Sequence, residues 1–231
     1  MISFDFIRAR AEARKGGEVA LAALLPPVGP RTALAELRDD RVLAEMARRV
    51  FSAGFVWSVI EAKWPGFEAA FLGFDPGGLL FEPDEFWERL EGDTRIVRHG
   101  AKIRSVRANA AFVRAISEQY GSFGRFLAAW PADDEVGLLH VLADRGSRLG
   151  GNSGQMLLRF LGYDAFVTSG DVVLCLRDAG VDIAVEPKSK RDLAIIQATF
   201  NAWHAETGLP YRHLSRICAL SVGENRGLNE D

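Results

Sequence analysis

The chain has 231 residues, 48% hydrophobic and 26% charged, with 28 lysines and arginines against 31 aspartates and glutamates and a formal net charge of −3. That composition excludes a disordered or fibrous chain and is enough for one substantial core or two small lobes. No apolar run is long enough to span a bilayer, since the longest, residues 19–27, ends in Pro26 and Pro27.

In chain order, the first thirty residues read as a helix followed by a proline connector at 26–30. From Asp39 the residues Val42, Leu43, Met46, Val50 and Phe51 recur at helical spacing, and a second apolar helix over 56–63 is expected to stop at Trp64, Pro65 and Gly66. A short helical turn at 68–72 is followed by Asp75, Pro76, Gly77 and Gly78, which read as a turn. Pro83 and Asp84 open a helix through Leu90. The long helix at 101–120 has Ile103, Val106, Ala110 and Val113 as its buried stripe. Helices are expected at 123–129 and 134–146, on either side of the glycine turn 150–154 and the turn 168–171, and at 189–207 and 211–222. Nothing alternates with period two for long, so the fold is expected to be all-α.

The negative total does not announce a nucleic-acid binder, but phosphate contacts use one face only. Acidic residues gather at 75–93 and 133–144, with Arg95, Arg98, Lys102, Arg104, Arg107 and Arg114 between them, which suggests a positive face. Cys175 and Cys218 lie in apolar helical patterns, with no histidine near Cys175, and read as buried thiols rather than zinc ligands. Residues 1–16 lack a signal-type apolar core, so a cytoplasmic location is expected, with no membrane partner.

Three segments carry chemistry. Gly150, Gly151, Asn152, Ser153, Gly154 and Gln155 lie between two helical patterns. They read either as a plain glycine turn or as a phosphate-gripping helix start with free N–H groups that Asn152 or Ser153 can cap. Asp171 follows the cap candidate Ser169; it either decorates a helix start or is held ionised there for work on a cationic sugar. Phe55 and Trp57 follow the small residues Ser52, Ala53 and Gly54, and are either core aromatics or a stacking surface for a base.

The run VFSAGFVWSVIEAKWPGFEAAFLGFDP at 50–76 and the run DTRIVRHGAKIRSVRANAAFV at 93–113 resemble two signatures of the DNA-3-methyladenine glycosylase I family. The glycine hairpin and the turn at Gly170 and Asp171 resemble the helix-hairpin-helix glycosylase superfamily to which it belongs. The resemblance covers roughly residues 39–181.

It implies a two-lobed helical bundle with a helix-hairpin-helix motif and an interlobe cleft, one lobe formed by about 1–90 plus 187–231 and the other by about 91–186. The activity implied is hydrolysis of the N-glycosidic bond of an alkylated purine flipped out of damaged double-stranded DNA, by a monomer. Trp57 matches the base-pocket tryptophan, with Phe55 beside it. The pocket glutamate eight residues earlier falls at Arg49, leaving Glu45 and Glu61 as substitutes. Gly150, Gly151 and Ser153 match the phosphate-gripping turn, and Arg98, His99 and Lys102 the basic turn that touches DNA or braces the lobes. Asp171 sits where much of the superfamily keeps a catalytic aspartate. Gln155 stands where bifunctional relatives carry the lysine that attacks the sugar, so the reaction is expected to stop at base release. The family's zinc ligands have no counterpart, so no metal or other cofactor is expected, although such a hairpin can hold a monovalent cation on backbone carbonyls. A non-catalytic DNA-lesion binder is the alternative, favoured by the replacement at Arg49.

Overall fold

The computed structural model describes residues 2–223, in which there is no β-strand. The all-α expectation holds. Among the described residues no helix is long and apolar enough to cross a membrane.

Two compact units divide the chain: residues 1–29, 131–136 and 164–231 in one, and residues 30–130 and 137–163 in the other. The boundaries differ from those read from the sequence. Residues 30–90 group with the long central helix and the hairpin, because the helices at 39–52 and 76–81 pack against that helix.

The first unit holds α1 (Phe4–Lys15), α2 (Glu18–Ala23), α11 (Gly170–Asp178), α12 (Lys190–Thr207) and α13 (Tyr211–Ser221). The single opening helix expected from the sequence is two, because Gly16 and Gly17 both take positive φ, 91° and 107°, and end α1 with a left-handed cap. Phe4, Phe166, Phe200 and Trp203 form the aromatic centre of the core, Phe166 stacked on Phe200 at 4.4 Å. Asp164 caps α13 by accepting from the Tyr211 and Arg212 N–H groups at 3.1 and 2.9 Å.

Glu135 is sealed in this unit. One carboxylate oxygen accepts the Phe166 N–H at 2.8 Å, while the other has no partner. Burial, the largest influence, pushes its pKa well above the usual carboxylate range, with Asp164 acting in the same direction.

The second unit is built around α7 (Gly100–Tyr120), against which α3 (Asp39–Ser52), α5 (Pro76–Phe81), α6 (Asp84–Gly92) and α8 (Phe123–Ala129) pack. Ile103, Val106, Ala110 and Val113 are fully buried along one stripe of α7, and Gly121 ends the helix with φ 85° and an N–H donated to the Ser117 carbonyl. Helix α9 (Glu135–Arg145) runs into the hairpin and α10 (Asn152–Phe160) leaves it.

Two expected breaks are absent. Helix α4 (Trp57–Ala70) passes through Pro65 instead of stopping there. The proline forfeits one backbone hydrogen bond, but Trp64 and Phe67 stack at 5.4 Å on either side of it, and Gly66 lies so close to the Arg95 carbonyl that a Cβ would come within 2.4 Å. Asp75 to Gly78 start a helix and not merely a turn. Asp75 is the N-cap, its carboxylate accepting the Gly77 and Gly78 N–H groups, and Pro76 fills the first helical position. Between α4 and α5, Leu72, Gly73 and Phe74 all adopt positive φ, and Phe74 sits fully buried against Trp64 and Phe71. A buried phenylalanine contributes about 1.5–3 kcal/mol, comparable to the roughly 1–3 kcal/mol of strain at one such residue.

Candidate functional site

Helices α3 and α4 present their charged and aromatic side chains to each other and to the end of α10. Trp57, the first residue of α4, is 42% exposed, and Phe160, the last of α10, is 52% exposed; their ring centroids lie 6.1 Å apart. Against both rings lies the guanidinium of Arg49, 4.4 Å from the Trp57 centroid and 3.9 Å from that of Phe160. Arg49 itself is only 7% exposed.

One turn earlier on α3, Glu45 brings its Oε1 within 2.6 Å of Arg49 Nε. Neither atom is aligned in a hydrogen bond, and Arg49 Nη2 is likewise buried without a partner. Charge and ring contact hold this guanidinium in place, not directed hydrogen bonds. Burial, as the largest influence, raises the Glu45 pKa and lowers that of Arg49, each partner's opposite charge working against it. A second pair runs alongside: Arg48 lies 3.6 Å from Glu61 and 4.0 Å above the Trp64 ring. The four charges sum to zero.

An open cavity of about 250 Å³ adjoins them, lined among others by Glu45, Arg48, Trp64, Phe160 and Leu161. That volume is just below the usual range for ligand pockets, about 300–1,000 Å³, and suits one ring system. A larger hollow of about 580 Å³, lined by Arg38, Asp39, Asp75, Arg114 and Arg125, contains no aromatic side chain on which a base could stack.

Of the expected pocket residues, Trp57, Arg49, Glu45 and Glu61 therefore meet in one patch of the second unit. Phe55 stands apart from the rings, 41% exposed, with the Lys102 ammonium 4.5 Å over its face. Phe160, Arg48 and Trp64 were not singled out by sequence. Nothing local marks Phe160, in the last turn of α10, as a residue that reaches a helix a hundred residues earlier.

The hairpin presents an open helix start. Gly151 is the N-cap of α10, with φ 58° and ψ −134°, a conformation that glycine adopts readily, and no side chain caps the helix. Asn152 or Ser153 was expected to supply the cap, but they fall one and two positions too late and occupy the first helical residues. Gly150, Gly151 and Asn152 are exposed, while Gly154 and Gln155 are buried. The hairpin is fastened to α7 by Asn109, whose amide donates to the Ser147 carbonyl at 3.1 Å and accepts the Ser147 N–H at 2.7 Å.

The basic stretch is less positive than its sequence suggests. Arg95, Arg104, Arg107 and Arg114 pair with Asp93, Glu91, Asp84 and Glu118, all but Asp93 as well exposed as the arginines. Such pairs are weak and can exchange partners. Arg98 is exposed and unpaired among the described residues, whereas His99 is half-buried with its Nδ1 unpartnered. Lys102, expected at the DNA or bracing the lobes, is 5% exposed and donates to the Phe51 and Ala53 carbonyls at the end of α3, within its own unit. Burial, foremost, and the nearby Arg148 lower its pKa.

Asp171 lies in the other unit, exposed in the first turn of α11, whose N-cap is Ser169 as the sequence suggested. Its carboxylate rests on Gly223, where a Cβ would approach Oδ1 to 2.5 Å.

Among the described residues no three histidine, cysteine, aspartate or glutamate side chains gather as a metal site, and Cys175 is met by Ser221 and Arg10.

Residues 35–137, just under half of the chain, match the model of the methyladenine glycosylase family. Over that stretch the chain is similar to this family. The patch of Arg49, Trp57 and Glu45 lies inside it. Among solved structures, the 3-methyladenine DNA glycosylase I from Staphylococcus aureus, described for its recognition of 3-methyladenine, is 23% identical with a TM-score of 0.49, over 57% of this chain and 81% of its own. A point variant of 3-methyladenine DNA glycosylase I in complex with 3-methyladenine is 24% identical with the same TM-score and the same coverage.

Proposed function

We propose that this chain is a monofunctional DNA glycosylase that hydrolyses the N-glycosidic bond of an alkylated purine turned out of double-stranded DNA. The observation that carries the reading is the patch on α3, α4 and α10: an aromatic surface with a carboxylate in reach of a cation, inside the segment that matches the glycosylase family model. An alkylated purine in DNA is planar, positively charged and weakly paired, which favours stacking on indole and lowers the cost of flipping. The uncapped start of α10, with its exposed glycines, supplies N–H groups for a backbone phosphate. Gln155 carries no amine to attack the sugar, so base release leaves the strand intact. Asp171 is assigned the stabilisation of positive charge on the sugar and the orientation of water.

The test is to incubate the protein with randomly methylated duplex DNA and identify the released bases. Release of an alkylated purine with an uncut strand is expected; no released base would end the reading. A second reading, a non-catalytic lesion binder, is favoured by one observation: Arg49 covers the faces on which a base would stack. It predicts salt-dependent binding to DNA containing an abasic-site mimic with no base released.

A further inference from the structure

We infer that the slot bounded by Trp57, Phe160 and Glu45 is a cation-exchange site: the Arg49 guanidinium is its resident planar cation, and a ligand enters by displacing it. This deepens the proposed base pocket and rests on that reading for the identity of the natural ligand, an alkylated purine carrying a positive charge.

Three observations carry it. First, Arg49 already makes the contacts a flat cation would make, over two aromatic faces and beside a carboxylate. Second, its Nη2 is buried without a hydrogen-bond partner and its Nε meets only Glu45 Oε1, so leaving the slot gives up one carboxylate contact and returns those groups to water. Third, the patch is balanced, with Arg48 beside Glu61 and Arg49 beside Glu45. Removing Arg49 leaves Glu45, largely buried, with only the weaker pull of Arg48 to balance it, a deficit that a neutral ligand cannot repair and a cationic one can. The exchange therefore selects for charge: a planar cation replaces like with like, and a neutral ring of the same shape pays for stranding Glu45.

The test uses N-methylquinolinium, a planar cation that does not titrate, against quinoline, neutral at pH 8, both followed by calorimetry. Arg49→Ala is expected to bind the cation at least tenfold more tightly than the unaltered protein, with quinoline gaining less than threefold. Adding Glu45→Gln to Arg49→Ala is expected to abolish the cation's advantage. An equal gain for both ligands would mean that the substitution only made room, and no gain for the cation would overturn the exchange. A measurement on the unaltered protein guards against variants that fold poorly. Arg49 is expected to resist phenylglyoxal in the free protein and to become modified at saturating N-methylquinolinium, as read by peptide mass spectrometry; unchanged protection, or no binding at all, overturns the proposal. Cation exchange without any base released from methylated DNA would count against the glycosylase reading alone, and base release without cation preference against the exchange alone.

Discussion

Arg49 Nε lies 2.6 Å from Glu45 Oε1, one helical turn away on α3, and the guanidinium is otherwise held by two aromatic faces. The pair therefore costs more to break than to replace. Truncating Arg49 to alanine strands Glu45 and is expected to lower stability by about 1–3 kcal/mol, less than for a sealed pair because 15% of the Glu45 side chain remains exposed. Replacing both partners with apolar residues, Glu45→Leu with Arg49→Met, is expected to recover most of that loss in urea denaturation. A double variant no more stable than Arg49→Ala would show that the packing of the guanidinium on the rings, and not its charge pairing, sets the stability.

Glu135 gives the fold a pH dependence whose sign is opposite to that of an ordinary salt-bridged carboxylate. Its pKa in the folded protein is raised by burial, so the folded state binds this proton more tightly than the unfolded chain. The stability it contributes is complete below the usual glutamate range and is lost as pH rises from there to the raised value. The slope reaches at most about 1.4 kcal/mol per pH unit. Glu135→Gln keeps an acceptor for the Phe166 N–H and removes the titration. Its denaturation midpoint is expected to decline less than that of the unaltered protein as pH is raised from 5 to 9, and parallel declines would exclude Glu135 as the source.

How much of this was legible in the sequence follows from the range of each interaction. Helical periodicity marked the α7 stripe and the buried face of α3, because those residues repeat within one element. Pro65 misled because part of what carries α4 through it, Trp64 stacked on Phe74 and Gly66 close against Arg95, comes from outside the helix. The resemblance marked Trp57 and the odd residue at Arg49, but not that the two touch, nor that Phe160 joins them from α10. Lys102 was ambiguous for the same reason: charge is visible in a sequence, while the two carbonyls that absorb it are not.

Arg98 and Lys102, four residues apart in sequence, are expected to behave differently toward DNA. Arg98 is exposed and unpaired among the described residues, and Arg98→Ala is expected to reduce the slope of log affinity against log salt by about one. Lys102→Met removes two hydrogen bonds at the end of α3 and is expected to cost about 1–3 kcal/mol of stability with the salt slope unchanged. A change of slope in Lys102→Met would place its charge at the phosphates after all.

Gly154, buried beneath the exposed part of the hairpin, leaves no room for a side chain. A Cβ on Gly154 would come within 2.5 Å of the Leu149 carbonyl and 3.2 Å of Leu139 Cδ2. The carbonyl belongs to the backbone and cannot swing aside, so Gly154→Ala is expected to cost about 1–3 kcal/mol and to weaken DNA binding by shifting the start of α10. Gly150→Ala, whose Cβ would meet only Ala143 Cβ at an ordinary 3.6 Å, serves as the control and is expected to leave stability within about 0.5 kcal/mol. Equal losses in the two variants would refute a steric origin.

Asp171 offers the sharpest test of chemistry as distinct from binding. Its carboxylate is exposed at the start of α11 and rests on Gly223, so an amide of the same shape fits without repacking. Asp171→Asn removes the negative charge while preserving size, and electrostatic contributions of this kind are worth about 10²–10³ in rate. Single-turnover release of an alkylated base is expected to fall by that factor while affinity for DNA with an abasic-site mimic holds within about twofold, a loss confined to the transition state. A parallel fall in both quantities would make Asp171 a contributor to binding. Unchanged release would remove it from the reaction and leave bond cleavage to the charge of the alkylated base and the aromatic slot that receives it.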